Sequence, residues 1–254
     1  MIMKNVLAAA EPYLSGRSVR DLVIGISLIG CQLDNGAVGV SYVLRDGLPH
    51  GCSAFPYAQK VIGRSAVEIA DWIIFGGDNL QRAIASAVLA AASCGQDFPD
   101  NVKVGMPFGM KLQPDDTVGM IGIIAPVAMQ IANLVKELIV FDEGVSIHGG
   151  NVMVHPMEEQ PKLLPTCDVV VLSGTTTING SIDGLLELCA KAREVLMVGA
   201  STPMFPKGWQ GSRVTRLAGS WWVNEHKNEI FKAISLGCGI SYLHKYMRKK
   251  VVAV

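Results

Sequence analysis

Neither sign of charge predominates in this chain. Lysine plus arginine and aspartate plus glutamate number 22 each among 254 residues, so no global field would gather nucleic acid or an anionic membrane, and neither is expected as a partner. Closely spaced cysteines are also missing. The six lie at positions 31, 52, 94, 167, 189 and 238, and the nearest two, Cys31 and Cys52, are 21 positions apart, which excludes a Cys-x-x-Cys redox or zinc pair. The common catalytic signatures are lacking too: there is no G-x-x-x-x-G-K-[ST] loop, no H-E-x-x-H helix and no G-x-S-x-G elbow. Gly119 and Gly122 do not have the spacing of a G-x-G-x-x-G dinucleotide motif.

What the chain does contain is apolar residue and glycine. Half of it is hydrophobic, only 17% is charged and 27 residues are glycine, so sustained disorder, collagen and coiled coil are excluded in favour of a compact α/β fold. The apolar run at residues 1–10 is cut short by Glu11 and Pro12, too little for a secretory leader; a cytoplasmic location with reduced thiols is the expectation. Residues 117–135 form an uncharged stretch of bilayer length, 19 residues. Ala125-Pro126, Gln130 and Asn133 inside it favour a buried strand over 118–124, a turn, and a helix over 129–138.

Residues 22–29 and 37–44 are β-rich apolar runs on either side of Asp34-Asn35-Gly36, which predicts a hairpin. Helices over 65–74 and 79–93 follow, the second capped by Asp78 or Asn79. Strands followed by helices suit a small α+β domain. Pro99, Gly105, Pro107, Gly109 and Pro114 then interrupt regular structure, placing a linker there and domains at 1–111 and 112–254. Beyond it the elements alternate: strands over 118–124, 139–141, 168–172 and 195–198, helices over 129–138 and 182–192, and a closing helix over 225–236. Continuous apolar strands alternating with helices predict a doubly wound, Rossmann-like parallel sheet. The basic tail, Lys245, Arg248, Lys249 and Lys250, reads as a solvated helix end.

In such a sheet, ligands sit outside the carboxyl ends of the strands. The residues there are Ala125-Pro126, Asp142-Glu143, Ser173-Gly174-Thr175-Thr176-Thr177-Ile178-Asn179-Gly180 and Gly199-Ala200-Ser201-Thr202-Pro203. Pro126, Asp142, Glu143, Ser173, Gly174, Thr175, Thr176, Asn179, Gly199, Ser201 and Thr202 are therefore the candidate ligand-binding residues. The glycine- and hydroxyl-rich turn offers N–H groups, hydroxyls and a helix N-terminus to a phosphate or carboxylate. The plainer reading is that these hydroxyls cap their own turn. Asp142 or Glu143 could accept a ribose hydroxyl, or simply be solvated. Ser41 and Tyr42 are further candidates facing the crevice, and Trp209, Trp221 and Trp222 suit the core better than a ligand mouth. His50 with Cys52, and His148 with His155, are isolated pairs that complete no metal shell. The catalytic and metal-ligating residues are thus left unassigned.

The segment from Cys167 through Leu186, with its T-T-x-I-N-G core, together with Val198-Gly-Ala-Ser-Thr-Pro203 and Leu217-Ala-Gly-Ser220, resembles the prokaryotic family described as heavy-metal chelation proteins of unknown function. The resemblance runs over essentially the whole chain. It implies an N-terminal domain like that of enolase followed by a Rossmann-like domain, with the interdomain cleft as the active site. Ala200 stands where the family commonly has proline, and Ser173 where it has threonine. The function expected is binding of a small anionic or nucleotide-like ligand in that cleft, by an enzyme of heavy-metal chelation or metallocofactor metabolism. An enzyme would draw its acid or base from Asp142, Glu143 or His148. The alternative is a non-catalytic protein that sequesters a metal or metal complex. A heavy-metal ion or a small chelating molecule is the cofactor either reading implies, and a homo-oligomer is compatible with the sequence.

One test follows from the linker. Limited proteolysis is expected to cut between about residues 96 and 111, releasing a C-terminal fragment; electrophoresis with mass mapping of the products checks it.

Overall fold

The computed structural model describes residues 1–45, 48, 55–57, 60–98, 107–148 and 154–254. Helix α1 (Ile2–Leu14) precedes strands β1 (Val19–Ile24), β2 (Leu28–Leu33) and β3 (Val38–Tyr42), then helices α2 (Ala66–Ala70), α3 (Trp72–Phe75) and α4 (Asn79–Ser93). The remainder runs β4 (Thr117–Ile121), α5 (Ala125–Ile131), β5 (Glu137–Phe141), α6 (Glu143–His148), α7 (Gln160–Leu163), β6 (Val169–Ser173), α8 (Ile182–Leu188), β7 (Glu194–Val198) and α9 (Pro206–Trp209). It closes with β8 (Arg216–Trp222), α10 (Lys227–Ser235), α11 (Ile240–Leu243) and β9 (Met247–Ala253).

The first sheet is an antiparallel meander, β1-β2-β3. Asp34-Asn35-Gly36 joins β2 to β3, with Gly36 at φ +88°. The run at 22–29 is two strands rather than one, because the chain reverses at Gly25, whose N–H donates to the Leu28 carbonyl at 2.9 Å. Gly25 lies under α10, where a Cβ would stand 2.2 Å from the Ile234 carbonyl oxygen. On the other face α4 lies directly on β3, since a Cβ at Gly39 would be 2.1 Å from the carbonyl of Ala87. Asp78 caps α4 by accepting from the Gln81 N–H at 2.7 Å.

The first sheet is therefore a layer between α4 and α10. The expectation that the helix near 225–236 closes the second sheet is corrected. Its apolar stripe of Ile230, Phe231 and Ile234 packs with Leu28, Val38 and Val40 of the meander, a contact between segments some two hundred residues apart that periodicity cannot reveal.

The second sheet has the order β5-β4-β6-β7-β8-β9, parallel except for β9. Counted from β4 as first, that is 2-1-3-4-5-6, with one strand rather than two beyond the first. The order reverses between β4 and β6. Alternate residues bury on opposite faces: Ile121, Val170, Leu172, Val195 and Met197 pack with Ile182 and Leu185 of α8, while Val118, Met120, Val169, Val171 and Leu196 pack with Val127 and Ile131 of α5. Both faces are covered, as continuous apolar strands require. Residues 117–135 are β4 and α5, and no helix among the described residues is long and apolar enough to cross a membrane.

Two elements were not foreseen. The basic tail is not a helix end but the edge strand β9, paired to β8 from Arg216–Ala253 through Trp222–Met247. Helix α1 occupies the apolar run at the start; Ile2, Val6, Ala10 and Leu14 recur on one buried stripe, and Gly208 of α9 brings its backbone so close that a Cβ there would be 2.5 Å from the Val6 Cα. Because α1 and α10 each cross to the other sheet, halves nicked between 96 and 111 stay associated rather than separate, and size-exclusion chromatography of the nicked protein shows one peak.

At the amino-terminal edge of the parallel sheet, the Arg193 guanidinium grips the Asp116 carboxylate with both terminal nitrogens and donates to the Lys111 carbonyl at 2.9 Å. The Gln113 N–H donates to Asp116 at 2.7 Å. These donors, Arg193 first, hold the Asp116 carboxyl below the usual carboxylate range. A depressed folded-state value means the stabilisation is complete above about pH 4, the unfolded value, and is lost as pH falls through the lower folded value. Asp116→Asn is expected to lower stability by about 1–2 kcal/mol at pH 7, a modest figure because Arg193 is 38% exposed. In urea denaturation the gap to wild type should narrow as the pH falls below about 4.

Candidate functional site

A cleft of about 1440 Å³ runs along the carboxyl-terminal edge of the parallel sheet. Its floor is the set of strand ends: Asp142 and Glu143 after β5, Gly122 to Pro126 after β4, Ser173, Thr175, Thr176 and Asn179 around the end of β6, Gly199 and Ala200 after β7, Ser220 on β8, and Lys249 on β9. Its wall is Tyr42, Val43, Leu44 and Arg45, leaving β3 of the first sheet, with Asn79 from the start of α4. The reversal between β4 and β6 lies within this floor.

The turn after β4 begins earlier than the sequence suggested. The strand stops at Ile121 rather than 124, because Gly122 takes φ +79° and donates to the Phe141 carbonyl at 2.8 Å. A Cβ on Gly122 would stand 2.8 Å from that of Ser173. Glycine is therefore needed both for the left-handed backbone and for the close approach of the β4 and β6 ends. Asp142 fixes the neighbouring turn: its Oδ2 accepts from the Ile123 N–H at 2.8 Å and its Oδ1 from the Val145 N–H at 3.0 Å. Its role is positional, while Glu143 beside it is exposed.

The hydroxyl-rich turn divides by function. Ser173 Oγ accepts from the Thr175 N–H at 3.3 Å and pairs with Thr175 Oγ1 at 2.8 Å, the two hydroxyls lying at the cleft. Thr176 and Thr177 donate back to the carbonyls of Ser173 and Gly174, each at 2.8 Å. Asn179 Oδ1 accepts from the N–H and hydroxyl of Ser181 at 3.1 and 2.7 Å, pinning the turn's exit. Arg82 of α4 supports it from the other sheet's side, Nε donating to the Ile178 carbonyl at 2.6 Å.

Gly174, Ser201 and Thr202 were expected among the ligand-binding residues, but they do not line the cleft; they form the joint beneath it. A Cβ on Gly174 would be 2.6 Å from the Ser201 carbonyl carbon and the Thr202 nitrogen. Ser201 Oγ accepts from the Tyr42 N–H at 3.0 Å and pairs with Ser41 Oγ at 3.1 Å, both serines being buried. Thr202 Oγ1 is buried with no hydrogen-bond partner among the described residues. Tyr42 lines the cleft, and burial pushes its phenol above the usual value. Two of the three tryptophans belong to the core: Trp209 donates to the Pro203 carbonyl at 3.0 Å and Trp222 is buried beneath α10, while Trp221 is half-buried and stacks on Phe98 at 5.6 Å.

Sequence reasoning missed Gly122, Arg45 and Lys249. A glycine just after an apolar strand is the signal for the first. The other two are placed by long-range pairing.

The described side chains do not assemble a site for a heavy metal. Among the described residues no three or more His, Cys, Asp or Glu cluster in a way that could hold an ion. Soft-metal binding calls for thiolates, yet burial pushes the thiols of Cys94 and Cys189 up to about 11, that of Cys167 to about 12, and that of Cys31 further in the same direction. His155 packs on Phe141 and pairs with Glu159 at 3.2 Å. His50, Cys52 and the side chain of His148 lie outside the described residues.

The Ser201 joint yields a prediction. Ser201→Ala removes the acceptor for the part-buried Tyr42 N–H and the partner of buried Ser41, and is expected to destabilise the protein by about 1–3 kcal/mol in denaturant unfolding.

The chain is similar over its full length to structurally known proteins of unknown function. One from the DUF364 family of Pyrococcus horikoshii superposes with a TM-score of 0.79 at 18% identity, covering 100% of both chains. Another, from Desulfitobacterium hafniense, gives 0.78 at 16% identity over 99% of both. These likenesses show a shared fold. An uncharacterized protein of Methanocaldococcus jannaschii is 25% identical over 143 residues, 56% of this chain and 54% of that protein; the chain thus spans about half the length of that relative. Two family models, each described as "Putative heavy-metal chelation", match residues 7–93 and 106–253. As the second covers more than half of the sequence, the chain belongs to the family so described, DUF364.

Proposed function

We propose that the cleft binds a small anionic or nucleotide-like ligand, and that the protein acts in the metabolism of a metal-chelating molecule or metallocofactor. The observation that carries this reading is the position of the cleft, at the reversal of strand order between β4 and β6, where Gly122 brings the two strand ends together and the Ser173–Thr175 hydroxyl pair faces the space. Open parallel sheets bind ligands at this place because the connections after the two neighbouring strands leave toward opposite faces of the sheet and a crevice opens between them. The family description supports a connection with metals. On this reading the metal arrives as part of an organic ligand, in keeping with the lack of a three-ligand cluster among the described residues.

The residues divide the work by chemistry. The Ser173–Thr175 pair can give and accept hydrogen bonds, Glu143 can accept one from a ligand hydroxyl or amine, and Tyr42 covers the opposite side with an aromatic face and a protonated phenol. Asp142 holds the turn that presents them. With Asp142 engaged, Glu143 is the carboxylate left to serve as acid or base if the bound molecule reacts.

Thr175→Val is expected to weaken binding of a nucleoside monophosphate by roughly tenfold with little effect on folding. Thr176→Val should behave in the opposite sense: losing the bond to the Ser173 carbonyl lowers stability by about 1 kcal/mol and leaves affinity near wild type. Isothermal titration and thermal melts of both variants check this. Native mass spectrometry with elemental analysis of the purified protein should detect a co-purifying organic molecule. Stoichiometric metal without one would contradict the reading and favour metal sequestration.

A further inference from the structure

We infer that Lys249 holds the negatively charged group of the ligand, a phosphate or carboxylate, and that this group binds at the β8–β9 end of the cleft rather than at the 173–177 turn. The inference deepens the cleft reading above and rests on it.

The turn is poorly equipped to take a full charge. Thr176 and Thr177 spend their hydroxyl protons on the turn's own carbonyls. The helix behind it, α8, has only seven residues and carries Asp183 in its first turn. Lys249 differs from this turn and from its neighbours. Lys250, next in sequence, donates to the Phe98 carbonyl at 2.7 Å and lies over the Trp221 ring. Lys227 is paired with Asp21. Lys249 lines the cleft with its ammonium 5.9 Å from the centre of the Phe108 ring, and among the described residues no carboxylate lies within ion-pair distance of it.

A partly buried ammonium without a counter-ion is unfavourable. Burial accordingly pushes the Lys249 amine below the usual lysine value. A ligand anion would remove that penalty. Phe108 closes this end from a left-handed backbone, φ +56°, that an aromatic residue rarely adopts. Ser220, directly opposite Lys249 in the β8–β9 pairing, also lines the cleft and adds a hydroxyl on the same face of the sheet.

The charges on the floor of the cleft are also separated, Arg45 being a further cation on its wall. Asp142 and Glu143 follow β5, at one edge of the sheet, and Lys249 is on β9, at the other. Five strand spacings amount to about 24 Å, and the three from β6 to β9 to about 14 Å. A ligand that touches both the Ser173–Thr175 pair and Lys249 is therefore elongated, with its anion at the β9 end and its hydrogen-bonding part toward β6 and β5. A nucleoside monophosphate or a long carboxylic acid has this form; inorganic phosphate would fill one end.

The experiment compares wild type, Lys249→Met, Lys249→Arg and Thr175→Val by titration with adenosine, adenosine monophosphate, inorganic phosphate and citrate. Lys249→Met should weaken whichever anionic probes bind wild type by roughly tenfold or more, leave any binding of uncharged adenosine unchanged, and keep or raise the thermal midpoint because an unpaired buried charge is gone. Lys249→Arg should retain most of the anion binding. Comparison of phosphate-bearing probes with citrate then identifies which anion is held. If wild type binds an anionic probe and Lys249→Met binds it equally well, the inference is overturned while the cleft reading stands, with Thr175→Val reporting on that reading separately. If no probe binds wild type, the cleft reading fails and the inference with it. Lys249→Gln replaces the methionine variant if that one does not fold.

Discussion

The cleft has a wall because the first sheet is fastened to the second at a buried polar joint. Ser201, just beyond β7, accepts from the backbone of Tyr42 and pairs with Ser41 at the end of β3. Its carbonyl also accepts from Ser86 of α4 at 3.3 Å. Gly174 lets the turn after β6 press against the same backbone. In an apolar interface an unmade hydrogen bond is expensive, so such a joint tolerates little displacement. Everything the cleft offers on its wall, from Tyr42 to Arg45, is positioned by that fastening, and Arg82 adds a second tie to the Ile178 carbonyl.

On the reading proposed above, the parallel sheet separates stability from ligand chemistry along its strands. Its amino-terminal edge carries the Asp116–Arg193 clamp and a further pair, Arg216 with Glu194 at 3.3 Å. Its carboxyl-terminal edge carries strand ends shaped by glycine, hydroxyls, and a lysine that is left without a carboxylate among the described residues. Such an edge is less favourable for the empty protein, as expected where local rules yield to function. The family description fits this arrangement if the metal belongs to the molecule bound rather than to the protein. The protonated thiols of half-buried Cys94 and of buried Cys167 and Cys189 are packing residues on this account.

Fold class was legible because its signals are local. The Asp34-Asn35-Gly36 turn, the Asp78 cap and the apolar strands at 118–121 and 169–172 each follow from residues within a few positions. What covers each sheet was not legible. The assignment of α10 to the meander depends on Gly30 leaving room for Phe231, and β9 is recognisable only once β8 is there to pair with it. For the same reason Lys249 read as part of a solvated tail. Within the candidate site, the strand-end rule pointed to Ser173, Thr175 and Glu143, which reach the cleft. It could not separate them from Ser201 and Thr202, because whether a residue beyond a strand end faces the cleft depends on which way the chain bends after that strand. Gly122 was weighed only against the G-x-G-x-x-G spacing, and Ile123 and Ile124 after it made β4 look longer than its backbone allows.

The central claim is that the carboxyl-terminal edge of the parallel sheet is the ligand site. Amide chemical-shift mapping of the isotope-labelled protein, titrated with adenosine monophosphate, tests it most directly. The account predicts shifts concentrated at residues 122–126, 173–179 and 247–249, with Tyr42 and its neighbours moving along with them. Shifts confined instead to the separate surface groove around Arg20, Asp21 and Lys227, or spread without any centre on the strand ends, would contradict it.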